Sequence, residues 1–396
     1  MPPLRGGDGA DGPPAAARVG VDARLGAYRG GGIAQHVDRL LEGLEEIRPP
    51  ERIVVLAHRR ARAPRAWPFE TRKVHTPPHH RLESWALPLE LARARLDLLH
   101  CPDVVVPAGW RGPAVTTVHD LAFLRQPELL TPDARRYYGG VHASVRRSTR
   151  IVAVSEHTRR ELLRLTSASA QRVRVVPNAV APRFLERARP DDEAVARRYG
   201  LARPYILFVS TIEPRKNVAT LLRAFRRLLD EGRHVDLALA GADGWLSGAT
   251  YRVADELDLG RRALFLGYVP DGDLPPLLRQ AAVLAHPALD EGFGMTPLEA
   301  MACGVPVVVS PAGALPEVVG SAGLYAVADN PADWAAGLAR VLDDAALAER
   351  LRAAGRARAA TFTVARQATE TLAVYREAVS RRSRSRSDRS ESGARS

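Results

Sequence analysis

The chain has 396 residues, 46% of them hydrophobic and 26% charged, a globular composition long enough for two domains of ordinary size with a buried core in each. Two cysteines, Cys101 and Cys303, exclude a disulfide framework and show no metal-ligand spacing, which points to a reducing, cytoplasmic compartment. The net charge of +12 invites an anionic partner, but aromatic residues make up only 6% and do not interleave with basic ones, so nucleic acid is not expected.

Residues 1–17 lack an apolar signal core and read as a disordered leader. "RVGVDA" predicts a first strand, followed by the glycine loop "YRGGG" and the helix "IAQHVDRLLEGLEEI", whose apolar positions recur at helical spacing. Strands follow at "RIVVLA", "LDLLHC" and "PAVTTV". A helix over 133–148 leads to strand "RIVAVS", helix "EHTRRELLRL" and strand "VRVVP". Polar, proline-bearing residues 186–203 break the rhythm and read as a linker. Alternation then restarts with strand "YILFVS" and helix "NVATLLRAFRRLLDEG". Strands "VDLALAG" and "LFLGYV", helix "DLPPLLRQ", and strands "AVLAHP" and "VPVVVS" complete it.

From Pro331 to Val379 the chain reads as mostly helical, its last helix free to pack back on the first half. Residues 380–396 carry six arginines with Asp388 and Glu391, lack apolar residues, and are expected to be disordered. The predicted architecture is α/β: two Rossmann-like doubly wound domains, 18–185 and 204–379, facing across a cleft, with ligands outside the carboxyl ends of the strands. The apolar runs are strand-length, far below a membrane span. Basic helices within 133–165 are candidates for peripheral contact with an anionic membrane at its inner face.

The stretch "DEGFGMTPLEAMACGVPVVVS" holds two glutamates, Glu291 and Glu299, around a glycine turn. Thr296-Pro297-Leu298-Glu299 fits a helix start with a capping box, so Glu299 has a structural reading. That reading covers neither Glu291 nor the glycines. "EGFG" exposes backbone N–H groups ahead of a helix N-terminus, a site for phosphate. Flanking carboxylates accept hydrogen bonds from hydroxyls. A nucleotide sugar, with hydroxyls at both ends and phosphates between, has that layout. Asp271-Gly272-Asp273 is a weak metal motif, with Asp273 better placed as a helix N-cap, and no metal is expected.

"EGFGMTPLE" resembles the E-x7-E signature of retaining glycosyltransferases of family 4, which have the two-Rossmann-domain GT-B fold. The similarity continues through "AMACGVPVVVSPAGALPEVVG", and "LFVSTIEPRKNVATLLRAF", "GGGIAQHVDRLL", "TTVHDLAF", "IVAVSEHTRREL" and "VVPNAV" resemble further family landmarks in order. The resemblance implies that Glu291 contacts donor-sugar hydroxyls and Glu299 the ribose. Gly292, Phe293, Gly294, Met295 and Thr296 would bind the donor, with the amides of Phe293, Gly294 and Met295 reaching the sugar and distal phosphate. Arg215 and Lys216 would hold the diphosphate. Ser210-Thr211 stand where many relatives carry an arginine, a charge that Arg215 would supply, and Ala288 replaces a common serine.

His119 resembles the family histidine near the transferring sugar, Gly31 and Gly32 its first glycine loop, and Tyr268 and Val269 candidates for the base pocket. Solvated-loop, core and tight-turn roles are the structural alternatives for these residues. The implied activity is transfer of a hexose, with retained configuration and no cofactor, from a nucleotide sugar to a glycan, lipid-linked or small-molecule acceptor. "TIEPRKN" and "ALPEVVG" look most like mannosyltransferase-type members, which puts GDP-mannose ahead of UDP-glucose. Other readings are a non-catalytic nucleotide-sugar binder of the same fold, a pyridoxal-phosphate phosphorylase, for which a Schiff-base lysine is wanting, and an RNA-binding protein suggested only by the tail.

Overall fold

The computed structural model describes residues 16–27, 31–60, 67–125, 132–202 and 204–393, the last thirteen of them by backbone alone. The expected leader and Tyr28–Gly30 of the glycine loop lie outside the described residues, apart from positions 16 and 17.

Among the described residues, thirteen strands form two sheets, and every named pairing is parallel. The first sheet contains β1 (Arg18–Asp22), β2 (Arg52–His58), β3 (Glu70–Val74), β4 (Leu98–Cys101), β5 (Ala114–Val118), β6 (Arg150–Ala153) and β7 (Val173–Val175), in the order β3-β2-β1-β4-β5-β6-β7. The second contains β8 (Tyr205–Val209), β9 (Asp236–Ala240), β10 (Ala263–Gly267), β11 (Val283–His286), β12 (Val307–Val309) and β13 (Leu324–Tyr325), in the order β10-β9-β8-β11-β12-β13. The central strands are buried apolar runs because helices cover both faces of a parallel sheet. In each sheet the winding reverses beside its first strand, between β1 and β4 and between β8 and β11. Such reversals open a crevice at the carboxyl ends of the strands.

The helix Val364–Gly393 returns to the first sheet. Its Leu372, Tyr375 and Ala378 share a core with Val19, Leu40, Val115 and Val152. Tyr375 Oη lies 2.7 Å from His100 Nδ1, and His100 Nε2 lies 2.9 Å from Thr117 Oγ1, so a polar chain ties this helix to β4 and β5. Gly43, on the Gly32–Ile47 helix, lets the two helices approach closely: a Cβ there would overlap the Val364 carbonyl.

Several expectations are corrected. The predicted 133–148 helix is two, Pro132–Tyr138 and Val141–Arg147, split at Gly139-Gly140. The 186–203 linker contains the helix Asp192–Arg198, and buried Asp192 accepts Arg279 Nε at 2.6 Å and Nη2 at 2.7 Å. Its polar sequence hid a buried ion pair. The Ser/Arg stretch continues the last helix as far as Gly393, because extending a nucleated helix costs little and arginine is a good helix former.

Gly43→Ala should lower stability by about 1–3 kcal/mol, the usual cost of overpacking a tight contact, read as a lower urea midpoint with an unchanged m-value.

Candidate active site

A cleft of about 460 Å³ lies between the carboxyl ends of the two sheets. Its lower wall carries Gly32, Asp103, His119 and Asn178; its upper wall carries Arg215, Lys216, His286, Glu291 and the loop that follows.

Glu291 follows β11 by five residues, and its carboxylate is gripped from two sides. Lys216 Nζ donates to Oε2 at 2.7 Å, and His286 Nε2 lies 3.2 Å from the same oxygen. Burial alone would push this carboxyl up; Lys216, His286 and Arg215 outweigh burial and hold it well below the usual carboxylate range. Burial depresses His286, only partly offset by Glu291, so the imidazole is neutral and donates from Nε2. Among the described residues its Nδ1 has no hydrogen-bond partner. Lys216 reaches Glu291 from a short 3-10 turn, Pro214–Lys216, just after β8. Arg215 donates to the Asp290 carbonyl at 3.2 Å and to Glu213 at 3.2 Å.

The Gly292–Thr296 loop enters the helix Met295–Ala302. Gly294, with φ of 105°, is the N-cap residue, in the left-handed region that favours glycine. Thr296 donates instead to the Val209 carbonyl at 3.2 Å, and Glu299 accepts Arg39 Nη2 at 2.5 Å. The capping box read from Thr-x-x-Glu therefore does not form; the left-handed turn at Gly294 starts the helix two residues early. Glu299 is freed for the cleft, where burial raises its pKa and Arg39 offsets that only partly. Asp273 stands at the N-cap position of Leu274–Gln280 but spends its carboxylate on Arg198 at 2.9 Å and Tyr199 at 2.7 Å. Asp271 faces Arg183 at 3.7 Å.

His119 sits immediately after β5. Its Nε2 lies 2.9 Å from the Pro102 carbonyl, which assigns the proton to that nitrogen and leaves Nδ1 an acceptor. Burial lowers its pKa, partly offset by that carbonyl and Asp103. The loop and the histidine are pressed together: a Cβ on Gly292 would overlap the His119 carbonyl oxygen, and the Gly292 carbonyl accepts Ser155 Oγ at 2.7 Å and Thr158 Oγ1 at 3.1 Å.

The cleft thus gathers His119, Glu291, Gly32, Arg215, Lys216, Gly292, Phe293, Gly294, Met295, Thr296 and Glu299. It does not gather Gly31, the N-cap of the first helix, nor Tyr268 and Val269. Tyr268 is exposed just after the edge strand β10 and Val269 is packed in the core, so neither is among the residues that line this cleft. The sequence reading missed His286, Asp103 and Arg39. His286 ends a strand at its carboxyl end, the signal that singled out His119.

The comparisons agree across both halves. Residues 30–184 match Glycosyltransferase Family 4, and residues 193–358 match Glycosyl transferases group 1. The O-antigen chain mannosyltransferase B of Escherichia coli is 35% identical over 75% of this chain and 78% of its own. The D-inositol 3-phosphate glycosyltransferase of Nocardia farcinica is 34% identical over 68% of this chain, which spans 62% of that relative's length. The crystal structure of Anabaena HepE in complex with UDP and glucose has the same GT-B fold, with a TM-score of 0.72 at 20% identity, covering 91% of this chain and 99% of that one.

Glu291 has a depressed folded pKa, so its stabilisation is present above the unfolded value of about 4.3 and is lost as pH falls toward the folded one. Glu291→Gln lacks that dependence. The gap in denaturant midpoint between wild type and Glu291→Gln should therefore move against wild type between pH 6 and pH 3; an unchanged gap would refute the charged, buried state of Glu291.

Proposed function

Because the chain belongs to glycosyltransferase family 4 with the group 1 nucleotide-binding half, we propose that it moves a hexose from a nucleoside-diphosphate sugar to a glycan or lipid-linked acceptor, with retained configuration and no metal. The observation that carries this reading is Glu291: a carboxylate kept ionised by Lys216 beside a glycine loop at the mouth of a helix, facing His119 across the cleft. Its charge is tied to Lys216 and His286, which suits an acceptor of sugar hydroxyl hydrogen bonds better than a nucleophile.

The diphosphate would share Lys216 and Arg215 with the backbone amides of Phe293, Gly294 and Met295. Fixed cations and amides stabilise the leaving nucleoside diphosphate as charge develops, which removes the need for a divalent cation. Neutral His119, an acceptor at Nδ1, would orient a hydroxyl of the transferring sugar. Glu299 would take the ribose. The acceptor then attacks on the face the diphosphate leaves, in a cleft closed to water. The mannosyltransferase relative favours mannose, with GDP as its carrier, and HepE's UDP makes a UDP-hexose the next candidate. Two buried free thiols favour the cytoplasm.

Thermal-shift measurements with GDP-, UDP- and ADP-sugars identify the donor: the true one should raise the melting temperature in wild type and not in Lys216→Ala. A donor-consumption assay run in excess EDTA should retain full rate, and Glu291→Ala should lower kcat by about a hundredfold or more, the scale of losing one well-placed polar group. Equal rates in Glu291→Ala and wild type would reject this site, and no donor consumption by wild type would leave a non-catalytic binder as the reading.

A further inference from the structure

We propose that the helix Glu83–Leu91, with the turn that follows it, docks the first domain on an anionic phospholipid surface. One face of this helix packs Leu87 and Leu91 into the core beside Val54, Leu56 and Leu99. The opposite face is apolar too. Leu82, Trp85 and Leu89, at helical spacing, are 56%, 65% and 76% exposed. A short surface helix is expected to be polar on that side. A contiguous outward stripe of Leu, Trp and Leu marks an interaction surface.

The charge around the stripe selects the partner. Arg81 precedes it, and Arg93 and Arg95 follow it, all exposed. The two carboxylates of the helix turn away: Glu83 pairs with buried Arg24, and Glu90 accepts the backbone N–H groups of His75 at 2.6 Å and Thr76 at 2.9 Å. What remains on the outer face is apolar in the middle and cationic at both ends. That pattern suits a layer whose phosphates lie above hydrocarbon: leucines enter, the indole sits at the boundary, and arginines meet phosphates. The basic helices within 133–165 are less suited, because several of their arginines are already paired with carboxylates. Arg136 meets Asp133, Arg159 meets Glu156, Arg160 meets Glu317 and Arg164 meets Glu161.

The surface also lies next to the cleft. His79, which walls a small basic pocket with Arg81, Arg136 and Arg147, holds Asp103 of the cleft wall at 2.8 Å. A membrane seated on Trp85 would therefore bring an acceptor anchored in it to the first domain's side of the cleft.

Co-sedimentation of the full chain with vesicles tests this. Wild type should sediment with vesicles of phosphatidylglycerol in phosphatidylcholine and not with phosphatidylcholine alone, and high salt should weaken the binding. Leu82→Ser with Leu89→Ser should weaken partitioning by about tenfold or more. Arg81→Glu with Arg93→Glu should weaken it by a similar factor, at roughly fivefold for each basic group lost. Both variants should keep the wild-type circular dichroism spectrum and the donor-induced thermal shift, which separates loss of docking from loss of fold or of the donor site. No sedimentation of wild type with anionic vesicles, equal binding to neutral ones, or variants that bind as wild type would overturn the proposal. So would gel filtration showing a dimer that the Leu89→Ser change dissolves, since the stripe would then face a second copy.

Discussion

The site depends on one close approach, that of Gly292 to the end of β5. With no side chain, this residue lets the loop of the second domain lie directly on the His119 carbonyl. Its own carbonyl is held by Ser155 and Thr158 at the start of the Glu156–Leu165 helix of the first domain. The same helix start receives Glu317 from the second domain, which accepts the N–H groups of Glu156 and His157 at 2.7 Å each. A carboxylate at a helix N-terminus satisfies free amides and opposes the helix dipole. The two domains therefore meet through backbone groups that would otherwise lack partners, and the meeting point is where His119 and Glu291 face each other. Any opening of the cleft must break these bonds, which couples the position of the Gly292–Thr296 loop to the position of the first domain.

Charge inside the cleft follows from that closure. A buried carboxylate stays ionised only with a partner, and Lys216 supplies one for Glu291 from a turn after β8. Both side chains come from loops at the carboxyl ends of adjacent strands, β8 and β11, which lie at the reversal of the second sheet. The topology thus brings lysine and glutamate together without either being near the other in sequence. His286 completes the group from the last residue of β11, and among the described residues its buried Nδ1 has no hydrogen-bond partner.

The parallel sheets and most helices were legible because period and alternation are local properties of the chain. Strand β3, "ETRKV", was not, since it is an edge strand and carries charge where a central strand carries valine. Strand β13 is only two residues long. The candidate site was legible where its chemistry is packed into one short motif, as in Glu291 through Glu299, or into neighbours such as Arg215 and Lys216. Reading failed where a local pattern has two outcomes. Thr-x-x-Glu caps a helix only if the chain enters it extended, and the left-handed turn at Gly294 removes that condition. Tyr268, which follows the edge strand β10, is exposed, and sequence alone does not separate a base platform from a solvent-facing ring.

Arg39 shows why the remainder could not be read at all. It lies 260 positions from Glu299, on the first helix of the first domain, within "GGGIAQHVDRLL", a stretch that drew notice to its glycines and not to its arginine. Yet it holds Glu299 at 2.5 Å and Met295 Sδ at 3.3 Å, across the domain boundary, in a buried setting. A buried arginine costs desolvation that only a partner offsets, so Arg39 and Glu299 constrain one another. A ribose hydroxyl that reached Glu299 would donate to a carboxylate whose second oxygen Arg39 leaves open. The same cation that spans the two domains would then keep the carboxylate oriented toward the ligand. The Arg39–Glu299 ion pair is thus one more link between the two domains, placed at the second glutamate.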